Sequence, residues 1–200
     1  MPALSVVLRI LDRSFVNLSE FVTTVIKSVH DLGFPYIVTG SFASMTYSDI
    51  RTTKDIDLVV HAPFESIDEF RTKMIEKGFI IPSISPSTDM FNVIHPDTPW
   101  KADIILWQDE PFEKERFERR VLVELLPGVN AYIPTVEDMI LAKLRWIEGR
   151  DSALQLRDIE SMIEVNVDSI DRSYLRLWAD QLAVNERLEE ILANYSPSDS

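Results

Sequence analysis

The stretch VTGSFASMTYSDIRTTKDIDLVV, Val38 to Val60, decides how the rest of the chain is read. It holds one of only five glycines in 200 residues, Gly40, followed by Ser41. Its end carries two aspartates around one isoleucine, Asp55-Ile56-Asp57, at the head of an apolar run. On a strand, residues i and i+2 share a face and lie about 7 Å apart. Asp55 and Asp57 are expected to project together while Ile56 enters the opposite layer. Aspartate is depleted in strands, and neighbouring like charges oppose joint ionisation unless a cation lies between them. A hard divalent ion answers both objections, since Mg²⁺ is held by one or two carboxylates together with substrate phosphates. Taken alone, such a pair is more often two solvent-facing charges at a strand end.

The flanks change that reading. PYIVTG (35–40) predicts a short buried strand that ends at glycine, and SFASMTYS (41–48) a short helix. A strand-to-helix turn of this kind turns backbone N–H groups toward a phosphate, with Gly40 allowing close approach and Ser41 adding a hydroxyl. A third carboxylate, Asp103, interrupts the apolar strand KADIILW (101–107), where pairing with Lys101 is the plain alternative. Three acidic side chains from neighbouring strand ends suit a two-metal phosphoryl or nucleotidyl transfer site.

Further strands are expected at 79–81, 90–95 (MFNVIH) and 120–126 (RVLVELL). Helical periodicity predicts a helix over 17–31, with Leu18, Phe21, Val22, Val25 and Val29 on one face, a capping box from Asn17 to Glu20, and Gly33 beyond its end. A short helix over 3–12 and another over 64–77, with Phe64, Ile67, Phe70, Met74 and Ile75 inward, follow from the same spacing. From Val136 the pattern turns helical, with Thr135 as N-cap and Glu137 and Asp138 in the first turn. Two or three more helices run to about Asn194, and SYLRLWADQLAVNERLEEILANY reads as a single amphipathic one. The expectation is an α/β (α+β) protein: a mixed sheet with flanking helices over 1–135, and a helical C-terminal extension over 136–200 packed on it.

Composition narrows the function classes. The net charge is −13, and residues 151–200 hold 11 acidic against 4 basic side chains. DNA binding is not expected, since phosphate contacts demand basic excess. A local basic patch remains open at Arg51–Lys54 or Arg116–Arg120. The absence of cysteine removes disulfides and thiolate metal sites and makes a cytoplasmic location the default. No apolar run reaches the roughly 20 residues of a membrane span, and the first residues do not read as a signal peptide. His30, His61 and His95 lack metal-site spacing. Trp100, Trp107, Trp146 and Trp178 are expected to pack sheet against helices, with base stacking the alternative for Trp100. No Walker A, G-x-G-x-x-G or serine-elbow motif occurs.

Gly40-Ser41, thirteen residues, Asp55-Ile56-Asp57-Leu58, then a strand Asp103: this order resembles the nucleotidyltransferase superfamily of the polymerase-β type. TVEDMILAKLRWIEGRDSALQLRDIESMIEV (135–165) resembles the helical region of minimal bacterial members, including the AbiEii-type toxin group. The resemblance spans roughly residues 20–190. It implies that Asp55, Asp57 and Asp103 bind Mg²⁺, with Mn²⁺ as an alternative, and that Gly40 and Ser41 hold the triphosphate of an NTP. It also implies a role for Lys143 toward a phosphate and for Asp158 beside it, though an exposed helix lysine and a surface pairing are the open alternatives. Arg51 and Lys54 are candidates to steer the nucleotide, or simply a solvated loop. The implied activity is transfer of an NMP to an acceptor hydroxyl or amine on a small molecule, protein or RNA. A non-catalytic binding module, a toxin with an antitoxin partner, and a homo-oligomer are further implied possibilities. The acidic charge and short chain fit the fold and metal site better than a tRNA-directed toxin.

Overall fold

A computed structural model of the chain describes residues 18–48, 55–82, 90–96, 99–150 and 152–195. The expectations for 3–12, Asn17, Arg51, Lys54 and the Phe64 side chain lie outside the described residues. The chain divides into two compact units that interleave in sequence. The first comprises residues 1–37, 54–108 and 122–132, and the second 38–53, 109–121 and 133–200. The last crossing between the units falls at residues 132/133, and the second unit also takes two earlier segments.

The first unit is built on a sheet. Helix α1 (18–31) leads through Gly33, at φ 75°, into β1 (Tyr36–Thr39), whose first two residues belong to this unit. Then come β2 (Asp55–Val60), a 3₁₀ turn (Phe64–Ser66), and three elements ending the motif: α3 (Ile67–Glu76), β3 (Met90–Ile94) and β4 (Lys101–Leu106). The strand order is β1-β2-β4-β3, with β2 and β4 parallel and β3 antiparallel to β4. Alternation sorts the side chains. Ile56, Leu58, Phe91, Val93, Ala102 and Ile104 are buried on one face. Phe70 of α3 meets Phe91 edge-on at 5.7 Å on that face, and Lys73 of α3 pairs with Asp31 of α1. The other face presents the polar residues of β2, β3 and β4.

Three expectations here need correction. Ile75 is 53% exposed, because the buried stripe of α3 is Ile67, Phe70 and Met74. The strand at 79–81 is a single bridge from Ile80 to Ile94, with Ile80 half-exposed at the sheet margin. The hairpin of β5 (Val121–Leu126) and β6 (Val129–Ile133) forms a separate two-stranded sheet; β6, turned at Gly128, was not expected.

The second unit is helical. It contains α2 (Gly40–Ser44), α4 (Pro111–Glu118), α5 (Val136–Ile147), α6 (Ala153–Val165), α7 (Arg172–Gln181) and α8 (Asn185–Leu192). The helix α4, opened by a proline, had not been expected. The single helix expected over 173–195 is two, because Ala183 adopts φ 57° and the turn closes through Val184 N–H to Ala179 O at 2.9 Å. Trp146 does not pack inward: it is 54% exposed, with the Arg150 guanidinium 5.1 Å from its ring.

A buried charge network ties α4, α5 and α7 together. Asp138 is fully buried and accepts from Arg119 Nε (3.3 Å), Thr135 Oγ1 (3.1 Å) and Tyr174 OH (2.6 Å). Glu137 accepts from Arg119 and from the Asp171 N–H, and the guanidinium lies 3.7 Å from the Tyr174 ring centre. Arg116 is buried against Glu113, and Arg120 bonds the Phe117 carbonyl. The basic patch expected over 116–120 is therefore consumed in internal contacts. Burial raises the Tyr174 hydroxyl far above the ordinary tyrosine range, and the hydrogen bond and charge of Asp138 push the same way. Burial, then the charges of Glu137 and Asp138, push Tyr47 up to about 12.

Removing one partner of a buried ionic cluster strands the others, so Asp138→Ala should lose about 3 kcal/mol in urea unfolding. Glu189→Ala, which breaks an exposed pair with Arg176, should lose less than about 1 kcal/mol. The tyrosines set an alkaline limit. A raised folded pKa means their stabilisation is intact below pH 10 and lost as pH rises toward 12. Over that window the stability of Tyr47→Phe should fall less steeply than wild type, by up to about 1.4 kcal/mol per pH unit.

Candidate functional site

The three aspartates singled out by the sequence lie on the polar face of the first unit's sheet. Asp55 and Asp57 share that face because they stand two positions apart on β2, with Ile56 between them. Register supplies the third: Asp57 is the direct neighbour of Asp103 across the parallel β2–β4 pair, and Asp55 is the neighbour of Lys101. Adjacent strands lie about 4.8 Å apart, so two carboxylates stand side by side with a third along the strand.

Two donors orient Asp103. Asn92, opposite it on β3, donates its amide N–H to Oδ1. Lys101 Nζ lies 3.1 Å from Oδ2 and 3.3 Å from Oδ1, and 3.5 Å from Asp55 Oδ2. The ammonium thus bridges carboxylates on two strands. Partial burial works to lower the Lys101 pKa, but the hydrogen bond and charge of Asp103, then those of Asp55, outweigh it and raise it.

Among the described residues, the other sequence candidates, Gly40, Ser41, Lys143 and Asp158, belong to the second unit. Gly40 opens α2 with φ 65°, a conformation that favours glycine, and Ser41 follows it. Lys143 of α5 and Asp158 of α6 form a buried pair at 2.9 Å, and Gln155 accepts a second bond from Lys143 at 2.7 Å. Neither is a surface helix residue. Asp158 reaches across to α5.

The chain is similar to several solved structures over most of its length. The antibiotic-resistance factor ANT(2'')-Ia matches with TM-score 0.58 at 14% identity, over 88% of this chain and 98% of that one. An antigenic nucleotidyltransferase-like protein from Paracoccidioides brasiliensis gives 0.54 at 19% identity, over 88% and 93%. The lincosamide antibiotic adenylyltransferase LnuA, lincomycin-bound, gives 0.51 at 13% identity, over 70% and 93%. The chain has the nucleotidyltransferase fold. No protein-family model matches it, and no curated protein does.

On this nucleotidyltransferase fold the donor set of the sheet face suits a hard cation in chemistry: three carboxylates, with no nitrogen or sulfur ligand required. In geometry it is a lysine-bridged arrangement, and among the described residues no group of three acidic or histidine side chains closes around a common point. Also among the described residues, no helix is long and apolar enough to cross a membrane. The sequence reading passed over Asn92 and gave Lys101 only a pairing role. Alternation over 90–94 could have found Asn92, a polar residue facing the same way as Asp103 once the antiparallel register is known.

Lys143→Met should leave Asp158 buried without its cation and cost about 3–5 kcal/mol by thermal or chemical unfolding. The double variant Lys143→Met/Asp158→Leu should recover most of that stability. Recovery of stability together with recovery of nucleotide binding would assign the pair a purely structural role.

Proposed function

We propose that the chain is a Mg²⁺-dependent nucleotidyltransferase that moves an NMP from an NTP to an acceptor hydroxyl or amine and releases pyrophosphate. The observation that carries this reading is the register of Asp57 with Asp103, which puts three carboxylates on one sheet face in a nucleotidyltransferase fold. Asp55, Asp57 and Asp103 would hold the metal, which would neutralise the leaving pyrophosphate and activate the attacking oxygen or nitrogen. Asp57 and Asp103 would polarise the acceptor, and Asn92 orients Asp103 through its amide N–H. By resemblance of motif, Gly40 and Ser41 are assigned to the triphosphate and Lys143 to a phosphate, with Asp158 fixing the lysine. Arg51 and Lys54 are assigned to nucleotide steering on the same ground.

A small-molecule acceptor fits best. The net charge of −13 opposes an RNA phosphate backbone. ANT(2'')-Ia has been solved with adenylyl-2''-tobramycin and LnuA with lincomycin, both small molecules. A second reading, a nucleotide-binding module without turnover, is favoured by one observation: the Lys101 ammonium stands among the carboxylates.

Thermal unfolding with Mg²⁺ and each of the four NTPs tests the first reading. A nucleotide at 100 times its Kd adds about 2.7 kcal/mol, and the shift should require the metal and vanish in Asp57→Asn. Label transfer from the NTP that binds to a pool of aminated and hydroxylated small molecules should fall at least about 10²–10³-fold in the same variant. Undiminished transfer by Asp57→Asn would overturn the mechanism. A metal-dependent shift with no transfer to any acceptor would favour the non-catalytic module.

A further inference from the structure

We infer that Lys101 is a resident counter-ion of the carboxylate cluster, holding Asp103 and Asp55 together until a divalent cation displaces it. The inference rests on the metal-site reading above and adds to it how metal entry is controlled.

Three observations carry it. The ammonium contacts both oxygens of Asp103, at 3.1 and 3.3 Å, and Asp55 Oδ2 at 3.5 Å, so it spans the β2–β4 pair. Its own backbone position pairs with Asp55, which places its side chain on the same face as all three aspartates. Two of these carboxylates contact the lysine, and no three acidic groups among the described residues converge. Like charges this close oppose joint ionisation unless a cation lies between them. Lysine answers that need with one flexible charge, and its side chain is 38% exposed, leaving the four-carbon stem room to swing out. A divalent ion brings two charges to the same oxygens and must first evict the lysine. Metal arriving alone therefore binds weakly. Metal arriving with a triphosphate binds well, because the nucleotide supplies further oxygen ligands and gives the displaced ammonium an anion to face. Lys101 is in these terms a positioning residue that couples metal entry to nucleotide entry.

The test uses the full chain and Mn²⁺ as the probe, followed by electron paramagnetic resonance of the unbound ion and by thermal unfolding in chelator and in Mn²⁺. Lys101→Met should bind Mn²⁺ without nucleotide about tenfold more tightly than wild type, the effect of removing one like charge beside a cation site. It should melt lower than wild type in chelator and recover with Mn²⁺, while Lys101→Arg behaves as wild type. Lys101→Gln keeps a donor to Asp103 without the charge, and should show the same tightened Mn²⁺ binding if Lys101→Met does not fold. Equal or weaker Mn²⁺ binding in the uncharged variants, with wild-type binding still lost in Asp57→Asn, would overturn the inference and leave the metal site standing. No Mn²⁺ binding by wild type or by any variant, with or without ATP, would overturn the metal-site reading and this inference with it.

Discussion

The pairing of β2 with β4 in parallel register is the constraint on which the rest depends. It is held in place by the apolar half of each strand: Ile56 and Leu58 on one, Ala102 and Ile104 on the other, all buried on the same face. Because side chains alternate with a period of two, a slip of β4 by one residue would carry Ala102 and Ile104 to the polar side and turn Asp103 into the core. Burial of hydrocarbon thus sets the positions of the acids. The sheet tolerates carboxylates in mid-strand because hydrophobic burial on one face fixes what the other presents.

What the carboxylates then require is positive charge. In the structure it comes from Lys101, with Asn92 completing the shell of Asp103. The lysine's charge offsets the repulsion between the carboxylates of the two strands. The same chemistry recurs in the second unit with a different outcome. There Arg119 serves Glu137 and Asp138, and Tyr174 closes the remaining side of Asp138. The two cations are similarly exposed, and the difference lies in the acids: Asp138 is fully buried, whereas Asp55 is half-exposed to solvent.

Several elements were legible along the chain because their cause is local. The strand 55–60, the Thr135 cap and the glycine after α1 each follow from neighbours within a few residues, and each stands where expected. Ile75 and Ile80 misled because an apolar residue beside a stripe or at a sheet margin has the same local pattern as a buried one. The break between α7 and α8 had no glycine or proline to announce it, since Ala183 takes the left-handed conformation itself. The cluster Arg116–Arg120 read as a surface patch because its acidic partners, apart from Glu113, come from α5 some twenty residues on.

By itself the sequence determined that Asp55 and Asp57 share a face, that Gly40 marks a turn from strand to helix, and that the acidic balance disfavours nucleic acid. These depend on chain period, backbone sterics and charge count, which need no partner. Only the tertiary structure decided that Asp103 stands beside Asp57, that Lys101 bridges Asp103 and Asp55, and that Lys143 is buried against Asp158. Those pairings depend on strand register and helix packing, and both are set by how apolar surfaces far apart in sequence fit together.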